Sequence, residues 1–352
     1  MRATARDVRR GLSPNHVVLL VSGLVACSAG SGDEPHWREY RSADRQLSEI
    51  SGLAASGRRL GLVFALNDSG APAVLHALSA TGQPVQRFVL RGVENRDWEA
   101  LAGFAAGGRA WLLIGDIGDN AGRRATLELY LLPEPEVSAG AQPVTLDTRR
   151  FTVRLPDGPR DFESLLVVSG NGGAATPGGL GGADHAAGES VEVALLSKRD
   201  VPPRLYLLTL PLAGEPATLT ARRGGEVRSL IKPTAAEMRR NDRQGRWSAQ
   251  PTDLALDPRG RYVALLTYKR LYLYPFNMRS DWERLFRRPS RVLDLPPIEQ
   301  AEGVTFLGPD CLLIGSEGSP APLLHLELTA GGCRLHPAAT SPNWEPLPRT
   351  ND

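Results

Sequence analysis

The chain has 352 residues, of which 41% are hydrophobic and 23% charged, the balance of an ordinary globular protein. That balance excludes bulk disorder and a polytopic helical membrane protein, and 37 glycines with 28 prolines favour many turns over long helices. The formal net charge is +2; residues 1–26 contribute Arg2, Arg6, Arg9 and Arg10 against Asp7, so the remainder carries −1 and offers no basic footprint for nucleic acid.

The arginine-rich start leads into an apolar run over residues 17–26, VVLLVSGLVA. Ten residues are too few to span a bilayer but suit the core of a signal peptide. The run ends Leu24-Val25-Ala26-Cys27, which resembles a bacterial lipobox with small residues before the lipid-accepting cysteine. The expectation is a leader over 1–26, lipidation at Cys27 and a flexible polar tether over 27–44. Such a protein is anchored by lipid in the cell envelope, on a periplasmic or extracellular face. Ser28 is not an acidic retention residue, which favours the outer membrane in a Gram-negative cell.

From residue 45 onward the chain repeats itself. Five segments share one arrangement: Ile50-Ser51-Gly52-Leu53, Trp98-Glu99-Ala100-Leu101, Phe162-Glu163-Ser164-Leu165, Thr252-Asp253-Leu254-Ala255 and Ala301-Glu302-Gly303-Val304. The fourth departs at the small position, where Leu254 stands. An apolar run follows each: LVFALNDSG (62–70), WLLIGDIGD (111–119), VALLSKRD (193–200), VALLTYKR (263–270) and LLIGSEG (312–318). A third strand, often alternating, comes next, and a more variable fourth follows. Short strands in fours at this spacing predict an all-β chain, a β-propeller with five clear blades of four antiparallel strands each. The chain ends, residues 36–47 and 334–347, offer material for a sixth blade. The predicted domain runs over 45–340, with a Gly-rich loop at 170–188, a charged insertion at 232–247 expected to form a short surface helix, and a C-terminal tail at 341–352. Cys311 and Cys333 lie a hairpin apart; an exported compartment permits a disulfide, and two buried thiols are the alternative.

The opening strand of each blade faces a propeller's central channel, so its polar residues matter most. The aligned position holds Ser51, Glu99, Glu163, Asp253 and Glu302. Carboxylates are depleted from strands, and four at one recurring position call for a reason. One reason is structural: each accepts backbone N–H groups from the next blade. The other is a shared cation, because converging carboxylates repel unless protons or a hard cation neutralise them. By that reading Glu99, Glu163, Asp253 and Glu302 are candidate metal ligands and calcium the candidate cofactor. A second polar ring comes from the ends of the second strands: Asn67, Asp68, Asp116, Asp119, Lys198, Lys269 and Glu317, candidate ligand-binding groups at the rim. Asp116 is also the candidate general base, while Asp119 and Asn120 suit an Asx-turn equally well. No G-x-S-x-G elbow is present, and His76 and His325 fall in third strands, where packing between blades is expected.

The stretches I-S-G-L-A, V-F-A-L-N-D-S-G, D-W-E-A-L-A and I-G-D-I-G-D-N resemble bacterial secreted or lipid-anchored propellers of the SdiA-regulated and phytase-esterase-like group, in which a D-x-E-G-like element opens each blade. Asp97-Trp98-Glu99-Ala100 and Asp161-Phe162-Glu163-Ser164 carry that element; Gln300-Ala301-Glu302-Gly303 lacks its first aspartate, and Pro251-Thr252-Asp253 carries it loosely. The resemblance spans roughly 45–330 and implies a propeller; related propellers such as gluconolactonases suggest calcium in the channel. Fold analogy supplies no reaction. Two functions are compatible with these residues. The first is an envelope-anchored, monomeric module binding a small ligand or an envelope protein. The second is a calcium-dependent lactonase or phosphoesterase-like hydrolase at the channel mouth, where the cation would activate water.

Overall fold

A computed structural model describes residues 35–169, 190–277, 281–329 and 333. The leader, residues 27–34 of the expected tether, the Gly-rich loop and the C-terminal tail lie outside the described residues; the rest of that tether, 35–44, is described and is no flexible linker, because it contains the strand His36–Arg41. Among those described, no helix is long and apolar enough to cross a membrane.

Twenty-two strands form five sheets. The chain enters through β1 (His36–Arg41) and then builds the first blade from β2 (Ile50–Ala55), β3 (Leu62–Asn67), β4 (Val74–Ser79) and β5 (Pro84–Leu90). The second blade uses β6 (Trp98–Ala106), β7 (Arg109–Asp116) and β8 (Leu127–Pro133), then, after the short β9 (Val144–Leu146), β10 (Arg149–Arg154). The third has β11 (Phe162–Val168), β12 (Ser190–Ser197) and β13 (Arg204–Pro211) and, after the short β14 (Thr218–Thr220), β15 (Arg222–Glu226). The fourth has β16 (Pro251–Leu256), β17 (Tyr262–Thr267) and β18 (Arg270–Pro275), a one-turn helix α1 (Trp282–Leu285), and β19 (Arg291–Asp294). The fifth has β20 (Ala301–Gly308), β21 (Cys311–Ser316) and β22 (Pro322–Glu327).

The fifth blade takes its fourth strand from the other end of the chain. Strand β1 pairs antiparallel with β22, His36 opposite Glu327 and Arg41 opposite Pro322. The ring therefore has five blades, and the segment expected to start a sixth becomes the outer strand of the fifth. Residues 334–347, the other half of that expected blade, lie outside the described residues. The physical reason is edge pairing: β22 would otherwise present a row of unpaired backbone groups, and β1 covers it. Two other edges are covered in a way the repeat does not announce. Strand β9, from the second blade's connection, adds parallel to β5, and β14, from the third's, adds parallel to β10. The first two blades thus have five strands each rather than four.

The inner strands β2, β6, β11, β16 and β20 contact one another in turn, and β20 returns to β2 to close the ring. Five apolar clusters occupy the five junctions between blades. Phe64, Leu75 and Phe88 of the first blade meet Trp98, Ile114 and Tyr130 of the second. Phe104 and Phe151 of the second meet Phe162 and Tyr206 of the third. The middle strands are buried on both faces, which is why β3 and β21 read as continuous apolar runs rather than alternating ones. The charged insertion folds as turns around a single 3-10 turn, Glu237–Arg239, and not as an α-helix.

The two cysteines of the domain are joined, Cys311 at the start of β21 to Cys333 beyond β22. The bridge closes a separation of 22 residues, and the loop-entropy relation puts its worth at about 3 kcal/mol. Reducing the protein is expected to lower its urea midpoint accordingly, with Cys333→Ala behaving alike. Superimposable unfolding curves with and without reductant would show that the bridge adds nothing.

Candidate functional site

All five inner strands carry a register shift at the same place. Ile50 pairs with Asn67 and Gly52 with Leu66, leaving Ser51 as the extra, unpaired residue. The same count leaves Glu99, Glu163, Thr252 and Glu302 as the extra residues of the other blades. A bulge re-aims one side chain and breaks the simple alternation of the strand. The fourth blade is therefore shifted by one relative to the sequence alignment: Thr252 is the counterpart of the glutamates, and Asp253 falls with Gly52, Ala100, Ser164 and Gly303. A one-residue slip turns a side chain to the opposite face. Asp253 is fully buried and accepts hydrogen bonds from Leu254 N at 2.8 Å and Val304 N at 2.7 Å. It pins the fourth blade to the fifth, the structural role that the sequence also allowed. Burial raises its carboxyl well above the usual range, against the two amides. Ser51 plays a similar part, donating to Trp98 O at 2.7 Å across the first junction.

Glu99, Glu163 and Glu302 are 3%, 1% and 4% exposed. Their neutralising partner is internal. Lys198, the first residue after β12, donates from Nζ to Glu163 Oε1. The same ammonium interacts electrostatically with Glu99 and Glu302 and lies 5.4 Å from the Tyr268 ring centroid. Tyr268, the first residue after β17, donates to Glu302 Oε1 at 2.8 Å and lies under the Arg243 guanidinium, 4.9 Å from its centroid. Burial alone would depress the Lys198 pKa, yet Glu163, Glu99 and Glu302 hold it above its ordinary value. Burial raises Glu99 and Glu302 well above the carboxylate range, with Glu163 adding to both. Burial also raises Glu163, against the pull of Lys198.

One ammonium does not balance the whole cluster. Asp68, the first residue after β3, and Asp97, just before β6, bring one oxygen each to within 4.8 Å of one another and of a Glu99 oxygen. The Asp97 carboxyl is pushed up to about 6, by burial first and then by Asp68 and Asp161. Gly118 closes over this group: a Cβ there would lie 2.5 Å from Asp97 Oδ2 and 2.7 Å from Glu99 Oε1. Only a glycine tolerates that approach. The carboxylates of Asp97 and Glu99 accept no hydrogen bond from any described residue. Two carboxylates lacking donors, with Asp68, which accepts from Ser69 N, beside them in a cradle that excludes even a methyl group, offer oxygen donors of the kind a hard cation takes.

The remaining rim residues are engaged elsewhere. Asp116 is fully buried, ion-paired with Arg124 at 2.7 Å and accepting Arg96 N at 3.2 Å, so it is locked rather than poised as a base. Asp119 accepts Arg123 N at 2.9 Å and Arg124 N at 2.8 Å, ordering its own loop. Asn67 accepts Ser48 N and Glu49 N and donates to Gln46 O, holding the turn before β2. Lys269 pairs with Glu237, whose carboxyl falls to about 2 through that bond and those from Thr234. Glu317 accepts from Gln300 and adds to the field that raises Glu302. His76 bonds Asp44 at 2.9 Å and His325 bonds Ala80 O at 2.7 Å, both as buried packing residues.

Asp97, Gly118, Arg243 and Thr252 belong to the site but were not singled out as site residues from the sequence. Asp97 was within reach, because it is the first residue of the D-x-E-G-like element Asp97-Trp98-Glu99-Ala100. Beyond the carboxylates the channel is lined by the five inner strands, with Leu53, Leu101, Leu166, Leu254, Val304 and Phe306 alongside Thr305, around a void of about 30 Å³. That void holds little more than a water, so ligands reach the carboxylates from the mouth.

No protein-family model matches the chain, and no curated protein is significantly similar to it. The class established by the fold is a five-bladed β-propeller with an acidic channel mouth.

Proposed function

We propose that the protein is a binding module of the cell envelope that holds calcium at Asp68, Asp97 and Glu99 and presents the channel mouth to a small ligand or an envelope protein. The observation that carries this reading is the buried Glu99 and the half-buried Asp97, neither with a hydrogen-bond donor among the described residues, and Asp68 beside them. Calcium takes six to eight oxygen ligands, so three carboxylates would leave coordination positions for water and for oxygens of a bound partner. The leader and lipobox support the envelope assignment, and the near-neutral charge speaks against nucleic acid. The hydrolase reading is the weaker one, because its candidate base, Asp116, is locked to Arg124.

Calcium is expected to raise the melting temperature, since a ligand that binds only the folded state stabilises by about 2.7 kcal/mol at a hundredfold excess over Kd. Asp97→Asn should abolish the shift. Calorimetric titration without heat, together with identical melting in millimolar calcium and in chelator, would remove the cation from this reading.

A further inference from the structure

The insertion between the third and fourth blades builds a pocket beside the channel mouth. Its cavity is about 540 Å³, within the range of small-molecule sites. Trp247 forms part of its wall, with Asn241, Asp242 and Gln244 from the insertion and Glu299 and Gln300 from the segment entering β20. The pocket is held in shape. Gln244 Nε2 donates to Tyr268 O at 2.6 Å and Ile298 O at 3.2 Å, and Arg243 Nε donates to Gln300 Oε1 at 2.6 Å. The Arg246 guanidinium lies 5.8 Å from the Trp247 ring centroid.

The charges that line this cavity balance. Arg240 pairs with Asp242 at 3.0 Å, and Arg243, which donates to the neutral Gln300 and lies over the face of Tyr268, is matched in number by the carboxylate of Glu299. The amide of Asn241 and the carboxylate of Glu299, both exposed, make no hydrogen bond or ion pair with the described residues. What remains for a ligand is therefore an indole surface, an amide that both donates and accepts, and a carboxylate that accepts twice.

We propose that this pocket binds a neutral oligosaccharide. A pyranose ring offers an apolar face of C–H groups to an indole and hydroxyls at its edge to planar amides and carboxylates. Two arginines and two carboxylates line the cavity, a balance that offers no net attraction to phosphate or uronate groups and favours a neutral glycan over nucleotides and acidic glycans. The pocket shares no ligand residue with Asp68, Asp97 and Glu99, so the proposal stands apart from the calcium reading.

The test uses the full chain on an array of neutral and acidic oligosaccharides, with AMP as a separate probe, followed by calorimetry on whichever neutral glycan binds. Trp247→Ala should weaken that binding at least about tenfold, the scale of one aromatic contact. Glu299→Ala, at an exposed position, should weaken it severalfold without loss of fold, and chelator should leave it unchanged. A chelator-insensitive signal separates this site from the calcium site. The proposal is overturned if nothing on the array binds, if only acidic glycans or AMP bind, or if Trp247→Ala binds as tightly as the parent.

Discussion

Lys198→Met is expected to destabilise the protein by about 3–5 kcal/mol at neutral pH, the cost of removing one partner from a buried ion pair. Methionine keeps the unbranched apolar stem and removes the ammonium together with its hydrogen bond to Glu163. Lys198 is 6% exposed and is the ammonium shared by Glu163, Glu99 and Glu302, so its loss leaves buried carboxylates facing one another. Those carboxyls already have folded pKa values above the ordinary 4.5, and without the ammonium they rise further. A carboxyl raised in the folded state contributes stability that is complete below its unfolded pKa and drains away as pH climbs through the folded one. The gap between variant and parent should therefore be small near pH 4.5 and widest above pH 7. Adding Glu163→Gln to the variant should restore part of the loss. Thermal melts of the three proteins at pH 5 and pH 8 check this; a Lys198→Met protein as stable as its parent at pH 8 would mean that the ammonium does not neutralise the ring.

Asp253→Ala should cost about 3 kcal/mol without touching cation binding. The alanine leaves the amides of Leu254 and Val304 without their acceptor, and a buried donor left unsatisfied costs about 1–3 kcal/mol. Asp253→Asn should cost less, since its carbonyl still accepts one of them. Chemical denaturation paired with calcium titration separates the roles. A variant of full stability that has lost calcium affinity would return Asp253 to the metal site and sink the one-residue shift.

Glu99 and Glu302 could be found from the sequence because each stands alone between apolar neighbours. In Trp98-Glu99-Ala100 and Ala301-Glu302-Gly303 only one polar residue is available, so any alignment selects it. In Pro251-Thr252-Asp253-Leu254 two polar residues are adjacent, and the choice depends on parity. Parity cannot be counted through a bulge, because the extra residue is defined by the partner strand: Pro251 opposite Thr267 and Asp253 opposite Leu266. The departure at Leu254 was the only sequence trace of the shift.

Lys198 was legible as a cation at the rim but not as the counter-charge of three glutamates, two of them from other blades. That role depends on how far apart the inner strands stand, which the number of blades sets. The blade number itself turned on the chain ends. His36-Trp37-Arg38-Glu39-Tyr40-Arg41 reads as a strand, but whether it starts a blade or closes one is decided by the open edge of β22. The parallel additions of β9 and β14 are likewise three-residue strands whose partners lie in a neighbouring blade.

The sequence by itself determined the all-β class, the repeat, the strands of each blade and the acidic character of the channel, because alternation, apolar runs and turn residues are local properties. Tertiary structure decided the blade count, the partner of each buried charge, the convergence of Asp68 with Asp97 and Glu99, and the diversion of Asp253 to the backbone. Each of these depends on distances between residues of different blades, which are fixed only when the ring closes.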